Sequence, residues 1–254
     1  MDFNNIILII LVFLFAHIYK STFTYKREDF DKNVDEFIDV IYYINLDHRT
    51  DRKEQLLNEL KKIDFPESKI VRIPAIKRDL GDVGCSHSHI KALETFISSS
   101  YNIKNCLILE DDFEFIQTKD KIYSMLNSVK QNNIDYDVLM FSSNTVEKNK
   151  TQYDFIDKII NAQTTSGYMV SRKFAPILLE NYKKGILLLE ESYSNNIRED
   201  HKYAVDQYWK LLQPNNNWYL FNPKFGKQRA SYSDIIKGDV NYETFINSHV
   251  LWWM

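Results

Sequence analysis

A short apolar run, Cys106-Leu-Ile-Leu109, leads straight into three consecutive carboxylates, Glu110, Asp111 and Asp112. Adjacent negative charges repel one another unless water or a cation offsets them. A hard divalent cation accepts such oxygen ligands and keeps room for waters and phosphates. A solvated acidic turn is the plain alternative. A second polar group ends the run Val40-Ile-Tyr-Tyr-Ile-Asn-Leu46, where Asn45, Asp47, Arg49 and Arg52 follow in close order. Arg49 and Arg52 are three apart, which puts them on one side of a helical turn, and guanidinium groups suit phosphates. The alternative pairs Arg52 with Asp47 or Asp51 as a cap. A third group is Gly84-Cys-Ser-His-Ser-His89. His87 and His89, two apart, point to different sides of a helix and make a poor zinc pair. His89 is left to hydrogen-bond a phosphate or an acceptor hydroxyl, or to sit as a satisfied helix residue.

These groups need elements to hold them. Apolar β-rich runs predict strands at 40–46, 70–73, 106–109, 137–141, 167–170 and 218–221. Helical periodicity predicts helices at 53–63, 86–98, 119–130, 173–181 and 204–212, with Gly81–Cys85 as a turn before the second. Strands alternating with helices indicate a single α/β domain with a largely parallel central sheet, and strand-end acids then lie at its carboxyl edge, where such folds bind ligands. Trp209, Trp218, Tyr208 and Tyr219 read as core aromatics, with a sugar-stacking wall as the alternative.

Composition narrows the chemistry further. The 254 residues are 44% hydrophobic, enough for a core. No two of the six glycines form a G-x-G pair and none precedes Lys-Ser or Lys-Thr, which excludes a Rossmann loop and a P-loop. A net charge of −3 without a basic block argues against nucleic acid as a partner. Two cysteines, Cys85 and Cys106, read as buried thiols, with one bridge as the alternative. Residues 4–19 carry an apolar stretch, short for a spanning helix, which reads as a signal anchor, then as a cleaved signal, then as a core helix. The chain therefore divides into an N-terminal segment (1–20), a linker or stem (21–38) and a globular domain (39–254). Lys20, Lys26 and Arg27 follow the apolar stretch and argue against a lumenal domain, which leaves the topology open and the localisation either membrane-associated through a single-pass signal anchor or in the secretory pathway.

In this order the three polar groups resemble glycosyltransferase family 25, which contains bacterial lipooligosaccharide and collagen hydroxylysine galactosyltransferases. The family's I-N-L-D-x-R-x-D-R is matched from Ile44 to Arg52, its G-C-x-x-S-H by Gly84, Cys85, Ser88 and His89, and its L-E-D-D by Leu109 to Asp112. Thr165 to Ser171, Val205-Asp206-Gln207 and Gln228 to Ile235 look like weaker family elements; the stretch from Ala75 to Gly81 looks short against the pattern. The resemblance covers residues 40 to 236. It implies a GT-A-like glycosyltransferase fold and a UDP-sugar-dependent hexosyltransferase moving galactose or glucose, with inversion, to a glycan or protein acceptor. A catalytically degenerate binding or adhesion module is the alternative. The implied cofactor is Mn²⁺ or Mg²⁺, on Asp112 with Asp111 as a further ligand. Asn45, Asp47, Arg49, Arg52, Ser88, His89, Glu110 and Asp111 are implied donor contacts, and Asp206 the general base.

Overall fold

The computed structural model describes residues 11–20, 37–195, 200–233 and 238–240. The 21–38 linker lies outside these residues except at its end, as does the end of the Gln228–Ile235 element. Residues 11–20 are helical and expose Leu11, Val12, Phe13, Leu14, Phe15, Ile18 and Tyr19. Among the described residues no helix is long and apolar enough to cross a membrane. Residues 1–10, which would complete the expected anchor, lie outside them.

The strands follow in chain order as β1 (Val40–Asn45), β2 (Ile70–Pro74), β3 (Asn105–Glu110), β4 (Phe113–Phe115), β5 (Val138–Met140), β6 (Asn144–Lys150), β7 (Ile156–Gln163), β8 (Gly167–Ser171), β9 (Trp218–Phe221), β10 (Gly226–Gln228), β11 (Ser231–Ser233) and β12 (Gly238–Val240). Eight of them make one sheet, ordered β2-β1-β3-β8-β5-β9-β7-β6. β1 runs parallel to β2 and β3, and β5 parallel to β9, while β8 and β7 run against their neighbours. Six of the eight strands thus point one way, matching the expected largely parallel sheet.

Alternation along the strands divides the core in two, because successive side chains leave opposite faces. Tyr42, Ile44, Ile108, Met140, Val170 and Leu220 face α2 (Gly81–Ser98) and α4 (Ala175–Ser194), packing with Leu93, Phe96, Leu178 and Tyr182. Ile41, Tyr43, Leu107, Leu109, Met169 and Phe221 face α1 (Thr50–Ile63) and α3 (Lys119–Gln131), packing with Leu56, Leu60, Ile122 and Leu126. The result is an α/β/α sandwich. Trp209 and Trp218 are fully buried and meet edge to face at 5.0 Å, which places them in the core and not on a sugar platform. Both cysteines are free thiols; Cys106 is buried, whereas Cys85 is half-buried.

Three helices differ from expectation. α2 begins at Gly81, so Gly81–Cys85 is its first turn and not a preceding loop. α4 continues to Ser194 past Gly185, where an added Cβ would come within 3.0 Å of the Tyr208 ring. The expected 204–212 helix is a single α-turn, α5 (Val205–Tyr208), followed by a 3-10 turn.

Candidate functional site

Parallel pairing of β2, β1 and β3 brings three chain segments to one edge. The registers Asn45↔Pro74 and Ile44↔Glu110 put the ends of all three strands side by side. Chain leaving β1 supplies Asn45, His48 and Arg52. Chain leaving β2 supplies Lys77 and Arg78, and chain leaving β3 supplies Asp111 and Asp112. With the first two turns of α2 and Gln228, these segments line one cleft. Glycine is required where α2 passes the loop after β2, because a Cβ on Gly84 would lie 2.6 Å from the Ile76 carbonyl oxygen. Ser88 binds the same two segments, donating to the Gly84 carbonyl (2.6 Å) and accepting from the Ile76 amide (2.8 Å). Gly84→Ala should therefore force these segments apart and destabilise by about 1–3 kcal/mol, read as a fall in Tm of several degrees. An unchanged Tm would show that the loop yields freely.

The acidic cluster is divided by its partners. Asp111 is fully engaged: its Oδ2 accepts from Asn45 Nδ2 (2.8 Å) and its Oδ1 from Arg52 Nη1 (2.9 Å). Burial raises its pKa against the pull of Arg52 and Asn45. Asp112 Oδ2 lies 3.5 Å from Arg52 Nη1, while its Oδ1 is buried without a hydrogen-bond partner. Burial, then the charge of Glu110, pushes the Asp112 carboxyl up to about 8 despite Arg52. An orphaned buried carboxylate oxygen is costly unless something else engages it. A divalent cation fits that atom well. Asp111 fits less well, since both its oxygens are spoken for.

Glu110, the last residue of β3, is half-buried. Its Oε1 accepts from the Thr165 hydroxyl (2.6 Å) and lies 3.2 Å from His89 Nε2. Burial disfavours its charge, but the bonds from His89 and Thr165 and the field of Arg52 outweigh that and hold its pKa low. His89 is fully buried, and its Nδ1 meets the Tyr168 hydroxyl at 3.0 Å. His87 faces away and pairs with Glu190 at 3.0 Å, so the two histidines do diverge.

The structure does not bring all the expected residues to the cleft. Asp47 is tied to Arg72 (2.6 Å), and Arg49 is paired with Asp51 (3.0 Å), so Arg49 and Arg52 do not act on one side. Arg52 pairs with neither Asp47 nor Asp51; it turns inward, and its Nη2 also donates to Ser231 Oγ (2.8 Å) and the Tyr232 carbonyl (2.7 Å). Asp206 is half-buried and does not itself line this cleft. Its Oδ2 accepts from the Thr164 amide (3.0 Å) and its Oδ1 from the Gln207 side chain (3.3 Å), and burial raises its pKa. Thr164 adopts φ 81° and donates to Gln228 (2.7 Å), which links Asp206 to a cleft-lining side chain.

Sequence reasoning passed over Arg72, Lys77 and Arg78. Arg72 donates to the Asn45 carbonyl (2.8 Å) and so fixes the end of β1. Lys77 and Arg78 sit in the stretch noted above as short, and two neighbouring cations in a strand-end loop were the available signal.

No family model and no curated protein sequence matches the chain. Several solved structures overlay on it loosely. A197 from STIV covers 76% of this chain and 95% of its own at 11% identity and a TM-score of 0.41. A glycosyltransferase involved in glycosylation of the major capsid of PBCV-1 covers 71% and 79% at 12% identity and 0.40. Mannose-1-phosphate geranyltransferase from Thermus thermophilus covers 72% of each chain at 8% identity and 0.39. With overlaps this loose, the chemistry has to come from the site's own geometry.

Proposed function

We propose that the chain is an inverting, divalent-metal-dependent hexosyltransferase that moves galactose or glucose from a UDP-sugar to a saccharide or hydroxylysine-type protein acceptor. One observation carries this reading. Residues from each of the three groups that resemble family 25 line a single cleft, where Asp112 keeps a buried oxygen unpartnered.

Breaking the sugar–diphosphate bond builds negative charge on the departing UDP. Mn²⁺ or Mg²⁺ bound through Asp112 would supply Lewis-acid stabilisation of that charge. The chain itself supplies cations, since Lys77, Arg78 and Arg52 all border the cleft and suit a diphosphate. Asn45 and Arg52 hold Asp111 in place, and Glu110 is held ionised at the same edge, ready for a ribose hydroxyl or a coordinated water. We assign the proton-accepting role for the acceptor hydroxyl to Asp206, supported by its raised pKa. The exposed apolar side chains of residues 11–20 support membrane attachment of the N-terminal segment.

A second reading has its own support. Arg52 already offsets Asp111 and Asp112, so the cluster is partly neutralised without an added ion, as a binding module that has lost turnover would require. Incubating the full chain with UDP-galactose or UDP-glucose and Mn²⁺ separates the two. The transferase reading expects UDP release. A UDP-dependent rise in Tm without release would favour the binding module, and neither signal with any UDP-sugar would sink the donor assignment.

A further inference from the structure

We propose that Cys85, His89 and Glu110 form a three-ligand site for a borderline-soft divalent cation of the zinc class, distinct from the hard-cation position at Asp112. Cys85 and His89 are four apart on α2 and therefore share one face. Glu110 ends β3 opposite them. The thiol sulfur, the imidazole nitrogen and the carboxylate oxygen all lie within 4.8 Å of one another. His89 Nε2 and Glu110 Oε1 are 3.2 Å apart. Two ligands on one tetrahedral ion, with bonds of about 2.0–2.1 Å, are separated by roughly the same distance.

The surroundings match what a metal site needs beyond its ligands. A ligating histidine generally hands its other ring N–H to a fixed acceptor, and a ligating carboxylate is itself hydrogen-bonded. Here His89 Nδ1 meets the fully buried Tyr168 hydroxyl at 3.0 Å, and Glu110 Oε1 receives the Thr165 hydroxyl at 2.6 Å. All three ligands border the cleft, so a fourth position would open into it, as in zinc sites that keep an exchangeable ligand. Thiolate with imidazole selects zinc-like ions over Mg²⁺ and Mn²⁺. On binding, the Cys85 thiol releases its proton to solvent, and His89, whose Nε2–H faces ionised Glu110 in the metal-free chain, shifts to its Nδ1–H tautomer with that proton toward the Tyr168 oxygen, which frees the Nε2 lone pair for the ion. This site does not depend on the proposed transfer reaction.

Cobalt(II) is the probe, because a thiolate ligand gives it a near-ultraviolet charge-transfer band and tetrahedral coordination gives strong visible bands. An all-oxygen site at Asp112 would give neither, so the two metal proposals fail separately. Titrating the reduced, metal-free full chain with Co²⁺ should produce both bands at one equivalent. Zn²⁺ should abolish them, and a large excess of Mg²⁺ should not. Cys85→Ser should lose the charge-transfer band, and Tyr168→Phe should weaken Co²⁺ binding about 10–100-fold with the band retained. Glu110→Gln, which keeps the side chain's shape, serves as a second ligand variant and should weaken Zn²⁺ binding. Absence of a thiolate band in the parent chain, or a band unchanged in Cys85→Ser, would overturn the site.

Discussion

Asp112→Asn is expected to abolish metal-dependent release of UDP from a UDP-sugar while leaving the fold intact. The loss should be at least about 10²–10³-fold, the scale on which removing one preorganised charge-stabilising group is felt. The fold should survive for a reason visible in the site. Burial and the neighbouring Glu110 charge push the Asp112 carboxyl up to about 8, so near neutral pH an uncharged amide replaces a group that already resists ionisation. The sign of the pH dependence follows. A carboxyl with a raised native pKa makes the folded state bind more protons than the unfolded chain, so its contribution is fully present below the ordinary carboxylate range and is lost as pH rises through about 8. The metal-free parent should therefore lose Tm as pH rises across that window, and Asp112→Asn should lose less. UDP release and thermal melts at several pH values test this. Full turnover in the variant would remove Asp112 from the metal role.

What the sequence revealed and what it concealed divide along physical lines. β1 was legible because all six of its residues are buried, so a continuous apolar run needed no partner to be recognised. β6 was not. Its residues, Asn144 to Lys150, are mostly polar, as befits a sheet-edge strand, and the exposed Lys148 and Lys150 reach across to Asp157 on β7. The α2 boundary was misplaced because glycine usually marks a turn. Here the close pass of Gly84 by Ile76 outweighs the helix cost of glycine. At the site, the types and spacing of Glu110, Asp111 and Asp112 were readable, but their unequal roles were not. Those depend on Arg52, 59 residues before Asp111, and on parallel register that only the folded sheet sets. Cys85 and His89 carry a readable helical spacing of four, but only the folded sheet brings Glu110, from β3, up to that face.

Arg52 is the residue whose loss the fold should tolerate least. Arg52 is 9% exposed and its guanidinium bonds Asp111 at 2.9 Å, while its other amino group reaches Ser231 and Tyr232 on β11. Arg52→Met keeps the length and the apolar packing of the stem but leaves the buried Asp111 carboxylate without its cation. Breaking a buried pair from one side costs about 3–5 kcal/mol, because the remaining charge stays buried and uncompensated. In a chain of this size that corresponds to a fall in Tm of roughly 10 °C. The remedy identifies the cause. Adding Asp111→Asn to Arg52→Met removes that stranded charge and should restore much of the loss, a coupling that a double-mutant cycle on melting temperatures would read directly. Arg52→Lys should fall between, since a single ammonium cannot reproduce a fork that spans Asp111 and β11. A melting temperature for Arg52→Met within about 2 °C of the parent, which by the same scaling is a loss of at most about 1 kcal/mol, would mean that water already screens the cluster. The cleft would then be wetter, and the acids freer to hold a cation, than their burial indicates.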